Sequence, residues 1–288
     1  MISWLLARSA GGRVVLRIED IDSPRVKVGA AAEAIADLQW LGLDWDEGPI
    51  VQTERLPSYA AAFEQLQRAE LVYPCTCTRG DVESAASAPH ADGVEPVYPS
   101  TCSHRRVADA AGLQQPFAWR FRVDDSPGFV DLVRGDTHID LRQHGGDFVV
   151  WKSSGTPAYQ LAVVVDDAAN GITHVVRGDD LVSSTPRQLL LYRHLGLTPP
   201  AFAHVPLVVG ADGRRLAKRH GDTRLRSMRE AGVTPEAVID LLAWSCGWQA
   251  ESRPTTAVSL INLFDLATIP SQPFVLTAEH LATIGYRA

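Results

Sequence analysis

The sequence predicts an α/β protein in which a parallel sheet is interrupted by an α+β insertion and followed by a short helical region. Three observations carry this prediction. Residues 161–165, Leu-Ala-Val-Val-Val, form a continuous apolar run that reads as a strand buried on both faces. After the Asn170-Gly171 turn, a second strand is expected over 172–176. Residues 13–20 read as an earlier strand, and helical periodicity over 29–41 follows it, as in half of a βαβ unit. Between these halves, Cys75-Thr-Cys77 breaks the rhythm, and residues 117–123, 129–141 and 148–152 read as antiparallel strands. The expected organisation is Rossmann-like, with a first half over 1–74, an insertion over 75–157, a second half over 158–225 and a helical C-terminal region over 226–288.

Each element has a local reason. Residues 2–10 read as an apolar helix ended by Gly11-Gly12. Val14, Leu16 and Ile18 give the first strand its apolar positions, and Glu19, Asp20 and Asp22 stand at its carboxyl end. Asp22 suits a helix cap as well as a functional role, whereas Glu19 continues the strand alternation and is expected on the open face. Pro24 closes the turn, Gly42 stops the following helix, and residues 57–70 form a second amphipathic helix. Ser183-Ser-Thr-Pro186 starts a helix that Gly196 ends. Residues 202–209 read as another buried strand, and Thr234-Pro235 caps a helix running to Ala243.

Composition limits the possibilities further. The 288 residues suffice for more than one domain, and 45% hydrophobic with 21% charged residues is ordinary for a soluble protein. A net charge of −7 argues against indiscriminate nucleic-acid binding while leaving room for a local basic face. No run approaches membrane-spanning length, and residues 1–7 are too short for a secretory leader. Four cysteines, two of them one residue apart, suit a reducing, cytoplasmic setting and a metal site.

Two stretches carry candidate chemistry. Cys75, Cys77 and Cys102 offer three thiolates, and Tyr98, His90 or His104 offers a fourth donor, the makings of a closed structural Zn2+ site stapling a polar loop. Free buried thiols are the plainer alternative. Arg177 follows the second central strand at its carboxyl end, where open α/β sheets bind ligands. There it would clamp an anion with help from Tyr159, unless it belongs to a solvated ion-pair cluster. Residues 214–221, Arg-Arg-Leu-Ala-Lys-Arg-His-Gly, are either a phosphate-binding loop around Lys218 or an exposed basic face.

Taken in order, several segments resemble the glutamyl branch of class I aminoacyl-tRNA synthetases. They are residues 16–22 (Leu-Arg-Ile-Glu-Asp-Ile-Asp), 131–135 (Asp-Leu-Val-Arg-Gly), the 159–181 block, 185–192 (Thr-Pro-Arg-Gln-Leu-Leu-Leu-Tyr) and 215–219 (Arg-Leu-Ala-Lys-Arg). The last is similar to the family's Lys-Met-Ser-Lys-Ser loop, with Ala217 in place of the usual Ser and Arg219 in the final position. Within the branch, the resemblance is to the short members without an anticodon-binding domain, which transfer glutamate to queuosine in the anticodon of tRNA(Asp).

This resemblance implies that Glu19, Tyr159 and Arg177 hold glutamate and that Lys218 binds ATP and assists catalysis. It implies ATP as substrate with Mg2+, one structural Zn2+ on Cys75, Cys77, Tyr98 and Cys102, and tRNA(Asp) bearing queuosine as partner of a monomer. Two rival readings share the motifs: a truncated glutamyl-tRNA synthetase charging tRNA(Glu), and a catalytically silent tRNA-binding paralogue. The family's opening strand, with a Phe-Ala-Pro-Ser-Pro-like segment and a His-x-Gly-His-like element, has no counterpart here. A start upstream of Met1, or an impaired protein lacking one central strand, is therefore expected.

Overall fold

The computed structural model describes residues 1–21, 26–85, 96–216, 223–250 and 253–287. The expectations for Asp22, Pro24, His90, Ala217, Lys218 and Arg219 lie outside the described residues. The chain opens with α1 (Ile2–Ser9), followed by β1 (Val15–Ile18), α2 (Ala30–Trp40) and β2 (Glu47–Val51). β1 and β2 pair in parallel, so this is a complete βαβ unit. Helix α3 (Leu56–Arg68) begins with Pro57 in its first turn, where a missing N–H costs nothing.

The middle of the chain supplies β3 (Val72–Cys75), α4 (Arg79–Ala85), β4 (Ala118–Phe121), β5 (Phe129–Asp131), β6 (Gly135–Thr137) and β7 (Phe148–Trp151). β3, β4 and β7 form an antiparallel sheet, in which β4 and β7 match the strands expected over 117–123 and 148–152 while β3 was not expected. Then come α5 (Tyr159–Ala169), β8 (His174–Gly178), α6 (Ser184–Leu195), β9 (Ala201–Val205) and β10 (Val208–Val209). Gly196 ends α6 in the left-handed conformation, φ +69°, which a residue without Cβ adopts freely. The rest consists of α7 (Leu225–Glu230), α8 (Pro235–Ser245), β11 (Phe274–Val275) and α9 (Ala278–Thr283). Thr234 caps α8 by accepting the Ala237 N–H at 3.3 Å.

Three expectations are corrected. Residues 161–165 are helical, inside α5, not a strand. The reason is that α5 is enclosed on several sides. Leu161 and Val164 join the core of Phe121, Leu190 and Phe202, whereas Ala162 packs with Ile21 and Tyr59. A helix buried all round shows no amphipathic period and cannot be told from a buried strand by pattern. Second, the β5–β6 hairpin extends the main sheet, because β5 pairs in parallel with β9, which pairs in parallel with β8. Third, β1–β2 and β6-β5-β9-β8 are separate sheets, and a further short parallel pair is formed by β10 with β11 in the C-terminal region. A cavity of about 540 Å³ lies between the first two sheets, lined by Leu6, Val15, Ile172 and Val176 among others.

Two main cores support this layout. One joins α3, α5 and α6 to the sheets through Phe63, Phe121, Leu161, Leu191 and Phe202. The other joins α1 and α8 to the C-terminal region through Trp4, Leu5, Ile239, Leu260 and Tyr286.

Asp166, near the end of α5, is fully buried and ties several elements together. It accepts from Gln52 Nε2 at 2.8 Å, Arg55 Nε at 2.8 Å and the Tyr59 hydroxyl at 2.9 Å. Removing the carboxylate leaves these donors without an acceptor. Asp166→Ala is therefore expected to lower unfolding stability by about 3 to 5 kcal/mol. Tyr59→Phe, which leaves two partners in place, should cost about 1 to 2 kcal/mol. Denaturant titration of the two variants checks the order.

Candidate active site and metal centre

Glu19 follows β1, Tyr159 opens α5 and Arg177 sits in β8, so three separate elements deliver the predicted residues. The structure brings them together: the Tyr159 phenol interacts with the Arg177 guanidinium and lies in the field of Glu19. Tyr159 is 42% exposed; the covering of the rest raises its pKa, and the Arg177 charge pulls it back. Glu19 is exposed, as the strand alternation predicted, but it is held from behind. Arg17 donates to Glu19 Oε1 at 2.9 Å and to Asp167 Oδ1 at 2.7 Å, so one guanidinium links the end of β1 to α5. Burial disfavours the Arg17 cation, but Asp167 and Glu19 more than compensate.

Arg177 is anchored at every nitrogen. Its Nε donates to His204 Nε2 at 3.0 Å, Nη1 to Gln188 Oε1 at 2.9 Å and Nη2 to Thr185 Oγ1 at 2.8 Å. A longer contact of 3.4 Å reaches the Leu181 carbonyl. Burial lowers its pKa, but an arginine so placed stays cationic. At Gly178, the next residue, a Cβ would come within 2.6 Å of Asp180 Oδ1 and 2.7 Å of Leu207 Cδ2, so a larger residue there would displace those two side chains.

His204 is itself fully buried, with Nδ1 2.6 Å from Asp131 Oδ2. Because Nε2 accepts from Arg177, the ring proton sits on Nδ1 and is donated to Asp131. Burial holds the His204 pKa below its ordinary value, against the pull of Asp131. Burial pushes Asp131 up, but hydrogen bonds from His204 and from the Arg134 and Val133 N–H groups bring it below the ordinary carboxylate range.

The sequence reading assigned no role to Arg17, Asp167, Gln188, His204 or Asp131. A signal existed for two of them. His204 is a polar residue in an otherwise apolar strand, and a buried polar group needs a partner. Asp131 heads a segment that was recognised by resemblance alone.

In the insertion, the sulfurs of Cys75, Cys77 and Cys102 all lie within 4.8 Å of one another. The Tyr98 oxygen is 3.3 Å from Cys75 Sγ and 4.0 Å from Cys77 Sγ, and the Cys77 and Cys102 sulfurs are 3.7 Å apart. A tetrahedral ion with bonds of about 2.3 Å to sulfur has edges of roughly 3.8 Å, so these donors fit such an ion. Of the alternative donors, His104 is exposed and outside the cluster. Burial raises the Cys77 thiol to about 11. Against the same burial, the Thr76 N–H and the Tyr98 hydroxyl bring Cys102 down to about 7. Arg120 donates to Cys75 Sγ at 3.3 Å and stacks over the Tyr98 ring at 3.9 Å, placing a cation beside the cluster.

Residues 1–281 match the family described as tRNA synthetases class I (E and Q), catalytic domain, and the chain belongs to that family. It is 48% identical to the glutamyl-Q tRNA(Asp) synthetase of Rhodopirellula baltica, over 96% of this chain and 90% of the relative. It is 41% identical to the glutamate–tRNA ligase of Geobacter sulfurreducens, over 99% of this chain but 61% of that protein. The crystal structure of a glutamate tRNA ligase from Elizabethkingia meningosepticum superposes with a TM-score of 0.78 at 26% identity. That alignment covers 96% of this chain and 63% of the solved one. Among the described residues, no helix is long and apolar enough to cross a membrane.

The depressed His204 pKa has a consequence for stability. Below its ordinary value of 6.5, the unfolded chain takes up a proton that folded His204 refuses, so stability should fall as pH drops from there. Asp131 adds a separate loss only as pH falls below its ordinary value of 3.8. Thermal unfolding across pH 7 to 4.5 should show the first loss in the parent protein and a smaller one in His204→Gln.

Proposed function

We propose that this chain is a cytoplasmic, ATP-dependent ligase that activates glutamate and transfers it to queuosine in the anticodon of tRNA(Asp). The observation that carries the reading is the meeting of Arg177, Tyr159 and Glu19, a cation, a phenol and a carboxylate suited to a zwitterion with an extra carboxylate. Relatives carrying the glutamyl-Q tRNA(Asp) synthetase name, 43% identical in the Nitratidesulfovibrio vulgaris case, support tRNA(Asp) as the acceptor.

In this reading Arg177 binds a carboxylate of glutamate, and Glu19 answers the ammonium group. A substrate carboxylate that displaces the long Leu181 contact finds N–H donors already oriented. ATP enters with Mg2+, and Lys218 neutralises charge on its phosphates while the glutamate carboxylate attacks the α-phosphorus. Pyrophosphate leaves and a glutamyl-adenylate forms. The queuosine nucleotide then attacks its acyl carbon, releasing AMP. The chain works mainly by positioning and electrostatics.

Cys75, Cys77, Tyr98 and Cys102 would hold one Zn2+, which supplies a cross-link between β3 and the loop around Tyr98 and takes no part in the reaction. The purified protein should contain close to one zinc per chain, measured by atomic emission. Cys77→Ser should lose most of it and lower the thermal midpoint.

The test of function is transfer of labelled glutamate to tRNA(Asp) with and without queuosine, next to tRNA(Glu). Label on queuosine-bearing tRNA(Asp) alone is expected. Label on the 3′ end of tRNA(Glu) would replace this reading with ordinary glutamyl-tRNA synthesis.

A further inference from the structure

The hydrogen bonds behind Arg177 form one directed chain. Gln188 Nε2 donates to Gln160 Oε1 at 2.9 Å, and Gln160 Nε2 donates to Ser184 Oγ at 3.0 Å. Arg177 donates to Gln188 on one side and to His204 on the other. His204 passes the chain to Asp131, whose Oδ1 accepts the N–H groups of Val133 at 3.0 Å and Arg134 at 2.9 Å. Oδ1 also takes the His204 N–H at 3.2 Å. Asp131 therefore cannot turn, and neither can the imidazole it holds.

We propose that Asp131 and His204 are a positioning pair for Arg177, in which Asp131 fixes the imidazole so that its Nε2 aligns the guanidinium for the substrate carboxylate. The inference rests on the reading of Arg177 as the glutamate clamp and explains why its neighbour is a histidine. A carboxylate placed directly on Nε would orient Arg177 equally well, but it would cancel the charge that attracts the substrate. Coulomb attraction falls with distance, so setting the Asp131 charge behind a neutral ring keeps the geometry and leaves more of the field. Phe202 lies 5.3 Å from the guanidinium carbon, closing one face of the group to water. The charged groups around the imidazole are Asp131, Arg177 and Arg134.

Two substitutions of similar size separate positioning from packing. His204→Asn keeps a donor near Asp131 but takes the acceptor away from Arg177. His204→Gln places an amide oxygen near the former Nε2 and so keeps that acceptor. In glutamate-dependent ATP–pyrophosphate exchange, His204→Asn should raise KM for glutamate about tenfold, the loss of roughly 1.4 kcal/mol. Its kcat and its KM for ATP should move less than about threefold. His204→Gln should return KM for glutamate to within about threefold of the parent. Equal KM values for the two variants would overturn the proposal, as would nitrogen NMR showing the parent imidazole protonated at Nε2. Arg177→Ala guards the underlying reading. If it leaves KM for glutamate unchanged, the clamp assignment itself falls. If it raises KM while His204→Asn does not, only the positioning role falls.

Discussion

A carboxylate without solvent exposure needs a donor for nearly every lone pair, and Asp166 finds three of them on two different segments. Its partners come from the turn after β2 and from α3, with Arg17 of β1 a further 3.7 Å away. The next residue, Asp167, is bound to the same Arg17. These two adjacent aspartates thus determine where the end of α5 lies relative to β1. Since Tyr159 opens the same helix and Glu19 hangs from the same arginine, the site inherits its geometry from a buried ion cluster. The cluster is a constraint more than a source of net stability, because desolvating its charges offsets much of their attraction.

The two charged residues proposed to meet glutamate are supported differently. Glu19 is held by a neighbouring cation and remains exposed, so its charge is partly screened by solvent. Arg177 is half-buried and surrounded by neutral acceptors, Gln188, Thr185 and His204, which fix its plane without neutralising it. A rigid, half-dry cation is a strong and directional anion receptor, since its orientation is settled before the ligand arrives.

Much of this was legible in the sequence. The strand leading to Glu19, the helices after it, the cysteine cluster and Arg177 on β8 were all expected, and Tyr98 was among the proposed donors. Residues 161–165 misled because Val163, Val164 and Val165 favour strands locally, while enclosure by Tyr59, Phe121 and Leu190 hides the helical period. The same error hides the place of Asp166 and Asp167. On a helix they stand seven and eight residues after Tyr159, two turns along the same face. The Asp131–His204 contact joins residues 73 positions apart, a pairing no local pattern encodes.

The separation of β1–β2 from the β8–β9 sheet means that the site straddles a seam. Glu19 belongs to one bank and Arg177 to the other, and α5 reaches both, through Asp167 at one end and Tyr159 at the other. The helix acts as the fixed arm of a caliper whose jaws are the carboxylate and the guanidinium. Under the proposed glutamate-binding role, the gap between the jaws would be the length scale set for the zwitterion bridging them, and discrimination between amino acids of different chain length would depend on how stiffly the seam is splinted.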